Sequence, residues 1–128
     1  RRKNNWKRLH KALESVSDRL ILPEPAVNSD PSWFGFLISV KPESGIERNK
    51  VTRFIEDHNV QTRLLFSGNL IKHPCFDQIR GTDAYRVVGD LNQTEFIMNQ
   101  TFWVGVYPGM TDEMIDCMAE VILQAVDQ

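Results

Sequence analysis

An α+β fold in two layers, with helices over one face of a small sheet, is predicted by three features of the sequence. Residues 33–40 and 101–107 are continuous apolar runs of strand length, rich in Phe, Trp, Val and Ile. Amphipathic stripes at steps of three and four residues stand before, between and after them. Pro23, Pro25 and Pro31 exclude helix and central strand from 21–32, so an extended connector joins the first helix to the first strand. The face of the sheet away from the helices is expected to be partly open.

In order, Trp6, Leu9, Leu13, Val16 and Leu20 form one stripe of a helix over 1–20, opposite a charged face. Residues 33–40 then read as a central strand, apolar on both faces; alternation sets Trp33 with Gly35 and Phe34 with Phe36. Ser44 and Glu47 have capping-box spacing for a helix burying Val51, Phe54 and Ile55, which Asn59 ends in a left-handed turn. A mixed strand over 60–65 breaks at Ser67-Gly68-Asn69. Pro74 opens one helical turn, 85–89 reads as a short strand, and Asp90 caps a helix with Phe96 and Ile97 inward. In 101–107, Gly105 removes a side chain where something approaches closely. Thr111 caps a last helix with Met114, Ile115, Met118, Val121, Ile122 and Ala125 on its apolar side.

The totals narrow the function. At 128 residues the chain holds one core. A net charge of −2 gives no electrostatic footprint for nucleic acid or for an anionic membrane. No apolar run reaches the roughly 18–20 residues that cross a bilayer. Cys75 and Cys117 are too few for a zinc site or a disulfide framework; as buried free thiols they fit a reducing cytoplasm. Phosphate-loop, dinucleotide and zincin motifs are absent. His10 is expected on the exposed side of its helix, His58 at a helix end and His73 in a loop, with no metal spacing among them. A chain that begins with Arg and opens in a long helix reads as the C-terminal part of a longer protein.

The stretch 60–76 is the strongest candidate for a binding surface. A strand carrying Arg63 runs into a loop carrying Phe66, Asn69, Lys72 and His73, and loops on the ends of rigid strands are where binding groups sit. For Arg63 two roles stand open, a bidentate phosphate partner or an ion pair with a helix carboxylate. The aromatic residues Trp33, Phe34 and Phe36 are core, or in part the wall of a pocket.

Four stretches together carry a resemblance: 1–6 (Arg-Arg-Lys-Asn-Asn-Trp), 33–38 (Trp-Phe-Gly-Phe-Leu-Ile), 59–70 (Asn-Val-Gln-Thr-Arg-Leu-Leu-Phe-Ser-Gly-Asn-Leu) and 99–111 (Asn-Gln-Thr-Phe-Trp-Val-Gly-Val-Tyr-Pro-Gly-Met-Thr). The chain resembles the C-terminal part of the vitamin B6-dependent nucleotide-sugar enzymes of the DegT/DnrJ/EryC1/StrS type, and within them the 3-dehydratases acting on a CDP-4-keto-6-deoxyhexose. The resemblance implies the small domain of the aspartate-aminotransferase fold. Residues 1–20 would be a linking helix and 21–128 the small domain, with the large cofactor-binding domain lying outside this chain. It implies pyridoxamine or pyridoxal 5'-phosphate as cofactor, a base and an iron–sulfur cluster in the large domain, a flavin/iron–sulfur reductase as partner, and a homodimer. It implies no catalytic, cofactor or metal residue in this chain.

Carried over residue by residue, the resemblance implies a substrate-facing set of Phe34, Arg63, Phe66, Ser67, Gly68 and Asn69. Phe34 stands where the sugar aminotransferases place a histidine, and a phenyl ring relays no proton, which agrees with dehydration. A sugar aminotransferase of the same fold is the first alternative. A free-standing α+β module for ligand sensing or oligomerisation is the second.

Overall fold

The computed structural model describes all 128 residues. Its elements are α1 (Arg2–Leu13), β1 (Leu20–Ile21), β2 (Gly35–Val40), α2 (Arg48–Asp57), β3 (Thr62–Leu64), α3 (Asn92–Gln100), β4 (Thr101–Gly105) and α4 (Asp112–Val126). The strands form one antiparallel sheet in the order β1-β2-β4-β3, so the two apolar runs are its central pair.

Strand alternation divides the sheet into two unlike faces. Phe36, Ile38, Phe102 and Val104 pair in register and are fully buried beneath the helices. α1 adds Trp6, Leu9 and Leu13 to this core, α2 adds Val51 and Ile55, and α4 adds Ile115, Met118 and Ile122. Each such side chain contributes roughly 1.5–3 kcal/mol by leaving water. The other face carries Gly35, Leu37, Trp103 and Gly105 and has no helix layer; Leu37 is 37% exposed. The strand expected to be apolar and closed on both sides is closed on one.

Polar contacts fix the helix layer. Arg8 of α1 donates from Nε and Nη2 to the two oxygens of Asp116 at 2.6 and 2.7 Å, and from Nη1 to Asp112 at 3.0 Å. That grip holds the Asp116 carboxyl below its ordinary range and raises the Arg8 guanidinium further. Buried Asn5 donates to the carbonyls of Tyr107 and Met110 at 2.9 and 3.2 Å, tying α1 to the turn between β4 and α4. Thr111 Oγ1 accepts from the Met114 amide, the expected cap.

Several expectations are corrected. The helix over 1–20 stops at Leu13; a 3-10 turn follows at Glu14–Val16, and Leu20 pairs with Val40 in β1. Val16 and Leu20 are still buried, so the stripe records a chain that wraps the core after leaving the helix. Ser44 and Glu47 form no capping box: Ser44 Oγ donates to the Lys41 carbonyl and accepts from the Ile46 amide, and α2 starts at Arg48. Asn59 does end α2 in the left-handed region, at φ 63°. Residues 85–89 pair with no strand, and Val88 is exposed. Ile97 and Met114 face outward, and both thiols, Cys75 and Cys117, are exposed. His10 is mostly covered, its side chain 16% exposed, stacked on Trp6 at 5.1 Å with Nε2 3.0 Å from Glu24. No helix is long and apolar enough to cross a membrane.

Candidate functional site

The antiparallel pairing of β3 with β4 begins at Thr62↔Val104 and leaves the Gly105 end of β4 without a neighbour on that side. A groove of about 940 Å³ opens there. Residues 58–61 and Arg63 form one side; Trp103, Gly105 and Tyr107 form its floor; Met110, Glu113, Met114, Cys117 and Met118 bring in the first half of α4.

Local chemistry explains the first wall. His58 closes α2 with Nδ1 2.8 Å from the Phe54 carbonyl and its ring stacked on Phe54 at 4.0 Å. The left-handed Asn59 turns the chain back, and buried Thr62 donates its hydroxyl to Glu56. Arg63 donates to the Thr62 carbonyl at 3.1 Å. With the Gln61 amide oxygen turned toward it, both terminal nitrogens of Arg63 lie 2.9 Å from that oxygen. Of the two roles left open, the ion pair with a helix carboxylate is not made: the helix carboxylates that are paired go to other cations, Asp112 and Asp116 to Arg8 and Glu95 to Lys72. Arg63 is a positioned cation that makes no ion pair.

Trp103 stands opposite Arg63 in the β3–β4 register and opposite Leu37 in β2–β4. Its ring lies across Gly35, where a Cβ would stand 2.7 Å from Cε3. Phe34, 63% exposed, meets that ring edge-on at 5.0 Å. Trp33 instead turns to the helix side and stacks on Trp6 at 5.8 Å. The expected sharing of faces is thus inverted for 33 and 34, because the strand starts at Gly35 and period two holds only inside it.

The turn after β3 behaves differently from Arg63. The positive φ values fall on Phe66 (49°) and Gly68 (63°), while Asn69 is ordinary at −81°. A Cβ on Gly68 would stand 2.5 Å from Met98 Cγ. Asn69 is buried; its side chain donates to Glu95 at 2.5 Å and its amide to the Met98 sulfur at 3.4 Å. Lys72 reaches the other Glu95 oxygen at 2.6 Å. Lys72 first, then Asn69, hold the Glu95 carboxyl below its ordinary value. The Ser67 carbonyl accepts from His73 Nε2 at 2.5 Å. Phe66 projects into solvent, 79% exposed.

The structure therefore brings Arg63 and, through Trp103, Phe34 to the open face. Gly68 and Asn69 are turned onto α3, and Ser67 and Phe66 lie outside the groove. Gln61, Trp103, Gly105 and Tyr107 belong to the groove and were not among the residues chosen from sequence. For two of them a signal was available: Trp103 and Gly105 alternate along β4 and so share a face.

The titratable side chains at the groove are His58, Arg63, Tyr107, Glu113 and Cys117. Pyridoxal 5'-phosphate needs an amine or base at its aldehyde carbon, a carboxylate at the ring nitrogen and several phosphate donors. The groove has no lysine and one guanidinium, so these residues do not by themselves form a cradle for that group. What they offer is one guanidinium and one carboxylate beside aromatic and thioether side chains.

Known proteins share both sequence and fold with the chain. It is 44% identical to dTDP-4-dehydro-2,6-dideoxy-D-glucose 3-dehydratase of Saccharopolyspora spinosa, over 98% of this chain and 26% of that one. It is 49% identical to the lipopolysaccharide biosynthesis protein RfbH of Salmonella typhimurium, over 90% of this chain and 25% of that one. The chain thus spans about a quarter of the length of these relatives. Among solved structures, Escherichia coli GDP-4-keto-6-deoxy-D-mannose-3-dehydratase with bound hydrated PLP superposes with a TM-score of 0.78 at 22% identity. That match covers 94% of this chain and 30% of the other. DesV of S. venezuelae, in complex with a ketimine intermediate, gives 0.79 at 14% identity over 100% and 32%. The two-layer domain with its open sheet face is therefore the fold of a part of these larger enzymes. With residues 1–123 matching the family's model, the chain belongs to the DegT/DnrJ/EryC1/StrS aminotransferase family.

Proposed function

We propose that this chain is the C-terminal, substrate-facing domain of a nucleotide-sugar 3-dehydratase that removes the C3 hydroxyl of a CDP-4-keto-6-deoxyhexose in dideoxysugar or lipopolysaccharide biosynthesis. The observation that carries it is Arg63, a guanidinium fixed by Gln61 and Thr62 at the groove and joined to no carboxylate in an ion pair. A fixed cation of that kind suits a diphosphate, which it engages in bidentate fashion. The two relatives at 44% and 49% identity support the assignment by their names, a sugar-nucleotide 3-dehydratase and a lipopolysaccharide biosynthesis protein.

Within this reading, pyridoxamine phosphate, its base and an iron–sulfur centre are held by a large domain preceding α1. α1 links the two domains, the working unit is a homodimer in the cytoplasm, and a flavin/iron–sulfur reductase completes deoxygenation. This chain's residues bind and orient; they move no proton. Phe34 at the open face favours dehydration over the aminotransferase alternative, because a phenyl ring neither accepts nor donates a proton.

The experiment is incubation of the complete polypeptide, loaded with pyridoxamine phosphate and supplied with reductase, with a CDP-4-keto-6-deoxyhexose. Mass spectrometry following loss of the C3 oxygen is the expected result. Transfer of an amino group from glutamate to the sugar, with no loss of oxygen, would show the aminotransferase instead.

A further inference from the structure

Residues 65–100, the excursion between β3 and β4, hold a single buried residue, the polar Asn69. Residues 65–91 contain no strand and only two 3-10 turns, and α3 buries no side chain at all. A stretch longer than about 12–15 residues without regular structure is uncommon in a compact domain and calls for a function. The excursion nevertheless belongs to the shared fold: the family's model covers residues 1–123, and the Saccharopolyspora spinosa relative matches over 98% of the chain.

Its grip on the domain is polar. Arg48, buried at the start of α2, donates to the carbonyls of Met98 and Thr101 at 3.3 and 3.5 Å, at the C-terminal end of α3. Glu95 of α3 in turn accepts from Asn69 and Lys72 and so holds the turn that follows β3. The apolar side chains take no part in this. Phe66, Leu70, Phe76, Val87, Val88 and Ile97 are all exposed, Val88 by 74%. A recess of about 180 Å³ opens between Leu70, Phe76, Ile79 and Tyr85. Two of the cations here are neutralised inside the excursion, Lys72 by Glu95 and Arg80 by Asp77, each at 2.6 Å. A surface of this kind suits an apolar protein partner and not a polyanion.

The size of the relatives points to the occupant. Those at 44% and 49% identity are matched over 26% and 25% of their length, so about three quarters of such a polypeptide lies outside this chain. A covalently joined domain meets the excursion at high effective concentration, so a modest apolar patch is enough. A separate protein would need a well-packed interface of roughly 800 Å² on each side.

Resting on the proposed function, which sets a large domain before α1, we infer that residues 65–100 are the seat of that domain within the same polypeptide. The large domain covers Phe66, Val88 and the recess beside Tyr85, while Arg48 and Glu95 keep the seat in shape.

The test uses the complete, cofactor-loaded polypeptide and alkylation of Cys75, which lies inside the excursion and is exposed in this chain. Mass spectrometry follows the modified peptide. The expected rate is at least about tenfold slower than in the urea-unfolded polypeptide. Phe66→Asp and Val88→Asp should each remove most of that protection while circular dichroism stays that of a folded protein. In dimers reconstituted from isotopically light and heavy copies, cross-links from Lys72 to the large domain are expected within one copy. Alkylation of the parent as fast as in urea overturns the inference, as does protection unchanged in both variants. Cross-links joining light to heavy copies also overturn it and give the seat to a second copy. Loss of the C3 oxygen is assayed on the same preparations. Dehydration with Cys75 unprotected removes the seat and leaves the reaction assignment standing; protection without dehydration does the reverse.

Discussion

The indole of Trp103 covers Gly35 so closely that a single added methyl would stand 2.7 Å from Cε3. This contact decides how the open face is shaped: the ring lies on the sheet instead of standing up from it, and Phe34 braces its edge at 5.0 Å. Gly35→Ala is expected to destabilise by about 1–3 kcal/mol, the range for overpacking. In a Trp103→Ala background the same change should be neutral or stabilising, because the obstruction is gone and alanine restricts the unfolded chain. Urea unfolding of the four proteins of this cycle measures the sign change; equal effects in both backgrounds would show that the ring is not held against Gly35.

Phe36 is fully buried beneath the helix layer, 5.2 Å from the Trp6 ring centre. Phe36→Ala should cost about 3–5 kcal/mol. Phe34→Ala, on the exposed face two residues earlier, should cost far less. Denaturant midpoints of the two variants check the difference, which rests on the break in alternation at Gly35.

Glu95 makes the low-pH behaviour of the 66–73 turn predictable. Its carboxyl is held below the ordinary 4.5 by Lys72 and then Asn69. A depressed folded value means that the contribution is complete above the unfolded value and is lost as pH falls through the folded one. Glu95→Gln should therefore lower stability at neutral pH and flatten the loss of stability below about pH 4.5, as measured by melting temperature against pH. Amide exchange of residues 67–73 should speed up in the same variant. A parallel shift of the whole pH profile, without flattening, would place the effect elsewhere.

Phe34→His places a proton-carrying ring at the open face beside Trp103. In the complete enzyme it is expected to reduce dehydration several-fold, as read by single-turnover assay. Unchanged rates would remove Phe34 from the substrate's surroundings.

Much of the layer architecture was legible because it rests on patterns internal to one segment. Residues 35–40 and 101–105 are β-branched and aromatic runs of strand length, Thr111 sits one residue before α4, and Asn59 takes the left-handed turn at the end of α2. What failed depended on partners distant in sequence. Val16 and Leu20 continue the spacing of Trp6, Leu9 and Leu13, yet the chain reaches the same core through a 3-10 turn and β1, which spacing cannot distinguish. Residues 85–89 have strand composition but pair with no strand of the sheet. At the site, Arg63 was visible as a lone cation on a strand, whereas the commitment of Asn69 to Glu95 joins residues 26 apart. Gly105 was noted as bare; that its space is filled by nothing in the chain emerges only in three dimensions.

If the open face is one wall of a substrate cleft, Arg63 is its phosphate anchor. Steady-state kinetics of Arg63→Ala and Arg63→Lys in the complete enzyme, with the nucleotide sugar varied, test it most directly. A charge-assisted contact corresponds to roughly a ten- to hundredfold effect. KM is expected to rise by that amount in Arg63→Ala, with a smaller change in kcat and partial recovery in Arg63→Lys. A KM within twofold of the parent in both variants would contradict it.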